Sequence, residues 1–132
     1  MVNFDRILVV DWSASNQPKT GSDSIWIADA ICTDGTIKIC NPATRSAAME
    51  IIETIIADAL DTGKRLFAGF DFAFGYPVGS DFLPGNGNWK TLWRWLFENV
   101  QDNNRNESNR FQIADQLNEL CLQNSSKHSF LL

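Results

Sequence analysis

Asp11 closes the run ILVVD, and Asp71 sits inside GFDFAFGYP. Each carboxylate follows a short apolar segment and precedes a polar or turn-forming one. If the two segments are parallel neighbours in one sheet, both acids emerge at its carboxyl edge, where open α/β sheets build their sites. Carboxylates held side by side repel, and a hard divalent cation such as Mg²⁺ or Mn²⁺ relieves that cost. A cation there can activate a water and clamp a phosphodiester, so the chemistry to expect of Asp11 and Asp71 as metal ligands is hydrolysis. Asp115, beside the apolar stripe of a later helix, is a candidate third acid, with Glu107 and Asp81 as loop-borne competitors. The plainer alternatives are turn aspartates that accept backbone N–H bonds and, for the last three, solvated surface charges.

The loop after Asp11 holds Ser13, Ser15, Asn16, Lys19, Thr20 and Gly21, small donors able to surround a phosphate. Ser13, Ser15 and Lys19 are the substrate-binding candidates there, and Arg110 is a fourth, further along the chain. No GxxxxGK[ST] pattern occurs, so this is not a P-loop; an ordinary polar hairpin loop is the competing reading. Phe72, Phe74 and Tyr76 flank the Asp71 turn and can stack a ring substrate or pack a helix on the sheet. His128 has no Ser or Cys partner that spacing singles out, so no triad is built from it.

These residues need a scaffold. RILVVD (6–11) is a continuous apolar run, as in a strand covered on both faces. SIWIADAIC (24–32) and TIKIC (36–40) flank Asp34-Gly35, which predicts an antiparallel hairpin. After Asn41-Pro42, Thr44 or Ser46 can cap a helix whose face runs from Ala47 to Leu60, with Gly63 as its stop. RLFAGFDF (65–72) then reads as a fourth strand, parallel to an earlier one because a crossover helix precedes it. Residues 75–88 read as loop. Trp89, Leu92, Trp93, Leu96 and Val100 mark a second helix, and Phe111, Ala114, Leu117, Leu120 and Cys121 a third. Residues 123–132 form a tail.

The predicted order β-β-β-α-β-α-α is an α/β mixed sheet of the ribonuclease-H-like kind, complete to its fourth strand. Only the last five residues are left to supply a fifth, so that strand is short or missing, and residues 1–132 are expected to form a single domain, C-terminally trimmed or completed by another chain. The length of 132 residues suits one modest core. Hydrophobic residues make up 44% and charged residues 20%, which excludes a disordered chain. The net charge of -5 opposes a simple nucleic-acid-binding module, although a nuclease that carries cationic metal escapes that objection. No apolar run approaches a membrane span and no signal-peptide pattern opens the chain. Cys32, Cys40 and Cys121 form no CxxC, which points to reduced thiols in a cytoplasmic protein.

ILVVDWSAS followed by a strand hairpin, and then GFDFAFGYP, resembles the uncharacterised bacterial and archaeal proteins grouped as predicted ribonuclease-H-like nucleases. NRFQIADQLN (109–118) resembles a recurring stretch of longer relatives, and the resemblance as a whole covers roughly residues 6–118. It implies that Asp11 and Asp71 stand on the family's two strand-end Asp positions.

Three functions follow. The first is a Mg²⁺- or Mn²⁺-dependent nuclease or phosphodiesterase, with Asp11, Asp71 and Asp115 as its acids and Lys19 or Arg110 holding the phosphate. The second is a nucleotide or phosphometabolite site of the actin-like ATPase kind, with Ser13, Ser15 and Lys19 facing the phosphates. The third is a non-catalytic interaction module that forms a homo-oligomer through exposed aromatics. Trp89, Trp93 and Trp95 cannot all face one core from a single helix, and Trp95 is the expected exposed one.

Overall fold

A computed structural model describes residues 3–72, 82–86 and 88–124. The order is β1 (Arg6–Asp11), β2 (Trp26–Ile31), β3 (Ile37–Cys40), α1 (Arg45–Asp61), β4 (Leu66–Phe70), α2 (Trp89–Asn99) and α3 (Arg110–Asn124). This is the α/β order read from the sequence. The last five residues, the only ones left to supply a fifth strand, lie outside the described set.

The chain divides into two compact units. One comprises residues 1–72 with 103–107, the other 73–102 with 108–132.

The first unit is a four-stranded mixed sheet in the order β3-β2-β1-β4. β1 pairs antiparallel with β2, β2 antiparallel with β3, and β1 parallel with β4. The Asp34-Gly35 turn works as the sequence indicates. Gly35 sits at φ +74 and donates to Ile31 O, while Asp34 Oδ1 accepts the Thr36 N–H.

Strand alternation separates two faces. On one, Leu8, Val10 and Ile27 meet Ala48, Ile52 and Ile55 of α1 in a buried cluster that also holds Ile25. Thr44, not Ser46, caps α1, its side chain accepting the Ala47 N–H. Arg6 ties the same face together, with Nε and one terminal nitrogen on the two Asp29 oxygens (2.6 and 2.8 Å) and the other on Asp58 of α1 (2.6 Å). That bidentate bridge lowers the Asp29 pKa.

The opposite face consists of two apolar rows. Ile37, Ala30, Ile7 and Phe67 stand in one register line, and Ile39, Ala28, Val9 and Gly69 in the next. Ile37, Ile39, Val9 and Phe67 are exposed. A continuous apolar β1 predicts cover on both faces; α1 packs on one, and Val9 on the other is half in water.

In the second unit, Leu92 of α2 and Ile113 and Leu117 of α3 bury against Leu83, with Phe82, Trp95, Leu96, Val100 and Leu120 around them. The sequence reading of α2 needs correction. Trp95 belongs to this core, whereas Trp89, Trp93 and Phe97 are exposed. Tryptophans stand on both sides of WKTLWRWLF, so periodicity alone does not settle which side is inward. On α3, Ile113 replaces Phe111 as the inward residue, and Phe111 lies exposed under the Arg110 guanidinium, 4.6 Å from its ring centre. No helix among the described residues is long and apolar enough to cross a membrane.

Candidate functional site

The register of β1 on β4 ends at Val10 opposite Phe70. The next residue of each strand is Asp11 and Asp71, so the two carboxylates leave the sheet at one level. Parallel pairing makes this possible, because both strands then deliver their carboxyl ends to the same edge. Asp71 is fixed by its Oδ1, which accepts the Trp12 N–H at 2.8 Å. The two carboxyl groups stand within hydrogen-bonding reach, and this raises the Asp11 pKa. The hydrogen bond from protonated Asp11 to Asp71 is the main cause; loss of hydration and repulsion by the Asp71 charge add to it. Both residues are exposed, so the pair meets solvent and any incoming ligand. Trp12 packs edge-on to Phe72 at 6.4 Å and Phe70 stands 5.3 Å from Phe72, which lines one side of the acids with aromatic rings.

The loop after Asp11 is internally bonded. Ser13 Oγ donates to Asp23 O and accepts the Ser15 N–H, while Ser15 Oγ donates to Gln17 O and accepts the Gln17 N–H. Lys19 pairs with Asp23 across 3.4 Å in solvent. The three loop candidates therefore shape the loop through their own hydrogen bonds and ion pair.

Two residues that the sequence reading passed over hold this loop from below. Arg45, the first residue of α1, is buried and donates to Ser15 O at 2.7 Å and to Asn106 O at 2.6 Å. Asn106 is buried at φ +64; its Oδ1 accepts the Arg45 N–H at 2.8 Å, and its Nδ2 donates to Gln17 O and Ala43 O. A buried arginine on backbone carbonyls and an asparagine in the left-handed region are structural signatures with little trace in composition.

Of the predicted acids, Asp11 and Asp71 are brought together. Asp115 and Arg110 lie on α3 in the second unit, and Glu107 binds Asn103 Nδ2. Asp81, Phe74, Tyr76 and His128 lie outside the described residues.

Two adjacent carboxylates are hard oxygen donors that Mg²⁺ or Mn²⁺ accepts. An arrangement of one or two carboxylates, several waters and a substrate phosphate is usual for Mg²⁺. Asp11 and Asp71 fit that donor set. Among the described residues no group of three or more His, Cys, Asp and Glu is placed to hold a metal ion. No protein-family model matches the chain, and neither a curated protein nor a solved structure does.

Proposed function

We propose that the protein is a Mg²⁺- or Mn²⁺-dependent phosphodiester hydrolase, with Asp11 and Asp71 as the ion's ligands and nucleic acid as the substrate class. The observation that carries this reading is the meeting of two exposed carboxylates at the carboxyl ends of adjacent parallel strands. A divalent ion between the two carboxylates turns repulsion into attraction and leaves coordination positions for water and phosphate. When bound, the ion would supply Lewis acidity and an activated water. The chain's own residues orient the pair, Asp71 through the Trp12 N–H and the following loop through Arg45 and Asn106.

The 3-2-1-4 strand order, with β1 parallel to β4, supports a ribonuclease-H-like sheet. Three free thiols suit a reducing, cytoplasmic setting.

The test is a Mn²⁺ titration by calorimetry and thermal shift, followed by cleavage of labelled single- and double-stranded oligonucleotides. Wild-type protein is expected to bind the ion and cleave, and Asp11→Asn and Asp71→Asn to do neither. No ion binding by the wild type refutes the proposal. Stabilisation by ATP–Mg²⁺ with no action on oligonucleotides would move the site to the actin-like, nucleotide-binding alternative.

A further inference from the structure

The open sheet face and the outer stripe of α2 are both apolar and exposed. On the face, Ala28 and Ala30 of β2 lie between a ridge of Ile37 and Ile39 on β3 and a second ridge of Ile7 and Val9 on β1, with Phe67 beyond it on β4. Ile37 is 65% and Ile39 67% exposed, so the ridge stands in water and the small residues form the floor of a trough. A second sheet laid face to face would set ridge against ridge and leave that floor empty; a helix carrying large side chains fills it.

Such a helix exists in the same chain. Trp89 and Phe97, eight residues apart on α2, are 60% and 87% exposed, with Trp93 between them. Eight residues of helix span about 12 Å, within the roughly 20 Å length of the six-residue β2 that floors the trough. Mixed and parallel sheets are ordinarily covered by helices on both sides, and here α1 covers one.

We infer that the occupant of the trough is α2 of a second copy, exchanged reciprocally in a two-fold dimer. The argument for a second copy is area. Taking about 200 Å² for a whole large side chain, the exposed fractions on the face and on the stripe give each copy about 800 Å² of apolar surface to bury. A standard stable interface needs about 800 Å² per partner. Either surface alone supplies about half of that, so only reciprocal use of both reaches the size of a stable dimer. Closed two-fold symmetry also stops the contact from propagating into a filament.

The test is a sedimentation series on wild type, Ile39→Asp and Phe97→Asp. Both substitutions lie on the surface, and circular dichroism checks that each variant folds. Wild type is expected to be dimeric, and each variant to weaken the dimer by about tenfold or more. The decisive arm mixes the two variants. The Ile39→Asp copy keeps a good α2 and the Phe97→Asp copy keeps a good face, so the mixture regains one of the two contacts and forms a heterodimer tighter than either variant alone. A monomeric wild type overturns the inference. So does a dimer broken by Ile39→Asp and indifferent to Phe97→Asp, which would mean that the face meets a different surface. A mixture that gains nothing over the separate variants overturns it as well.

Discussion

Replacing Asn106 by Leu should cost more stability than any other single change near the candidate site, and it should do so through the Ser13–Gln17 loop. The Asn106 side chain is buried and makes three hydrogen bonds, to Arg45 N, Gln17 O and Ala43 O. Leu makes none of them. A buried donor or acceptor left without a partner costs about 1–3 kcal/mol. The Arg45 N–H is the most confined of the three, standing in the first turn of α1, while the two loop carbonyls regain water when the loop lifts. Leu also has to adopt φ +64, which adds about 1 kcal/mol where asparagine is tolerated. The total comes to about 3–5 kcal/mol, a large part of the 5–15 kcal/mol that holds a domain together. Asn106→Gly tolerates the positive φ and leaves room for a water, so about 1–2 kcal/mol is expected of it. Urea unfolding followed by tryptophan fluorescence gives both values, and amide exchange over residues 13–17 reports the loop. Equal losses for the Leu and Gly variants, or unchanged exchange in the loop, would refute the clamp.

Three further outcomes follow from the same geometry. Asp11→Asn, which keeps a donor for Asp71 and removes the repulsion, should raise metal-free thermal stability at neutral pH. Because the folded-state pKa of Asp11 is raised, its contribution to stability is full below the unfolded value and lost as pH rises through the folded one. The wild type should lose stability across that window and Asp11→Asn should not, as melting scans from acid to neutral pH will show. Asp29 is shifted the other way, so the stability it contributes is present above its unfolded pKa and lost as pH falls through the folded value. Asp29→Asn should cost about 2–4 kcal/mol in urea by leaving the part-buried Arg6 half paired, and should flatten acid denaturation. Ile52→Ala, at the centre of the α1–sheet contact, should cost about 2–5 kcal/mol by the same measurement.

The elements were legible where local chemistry and long-range order agree. The apolar run of β1, the Asp-Gly turn and the α1 face all carry their own signals, and the crossover rule then makes β4 parallel to a sheet strand. Placing Asp11 level with Asp71 required only that β4 neighbour β1. What stayed hidden depends on contacts distant in sequence. Asn106 stands in QDNNRNESN, where every residue looks solvated, and its partners lie 61 to 89 positions away. Arg45 reads as an ordinary helix-start cation. In α2, apolar residues at 89, 93 and 97 and at 92, 95 and 96 give two competing faces, and tertiary packing chose the second. The Arg6–Asp29 bridge lies between these cases. It follows from the β1–β2 register, which places Asp29 opposite Leu8, two residues from Arg6 on the same face.

That register also couples the candidate site to the open face. Arg6, Leu8 and Val10 face α1, so Ile7, Val9 and Asp11 face the other way. Asp11 thus stands one register line beyond the apolar rows, opposite exposed Trp26 on β2. A helix laid in the trough runs toward that line and removes water from one side of the carboxylate pair, and lower local polarity strengthens the attraction of both acids for a divalent ion. Ion binding and dimer formation should then assist each other by the same factor, since coupling between two binding events is reciprocal. About fivefold, the low end of such couplings, is expected for an ion held at the rim of the covered surface. Mn²⁺ affinity should therefore be about fivefold weaker in Ile39→Asp than in the wild-type dimer, and Mn²⁺ should lower the wild-type dimer dissociation constant by the same ratio. Equal Mn²⁺ affinity in wild type and Ile39→Asp would break the link between site and surface, even if ion binding and the dimer each proved real.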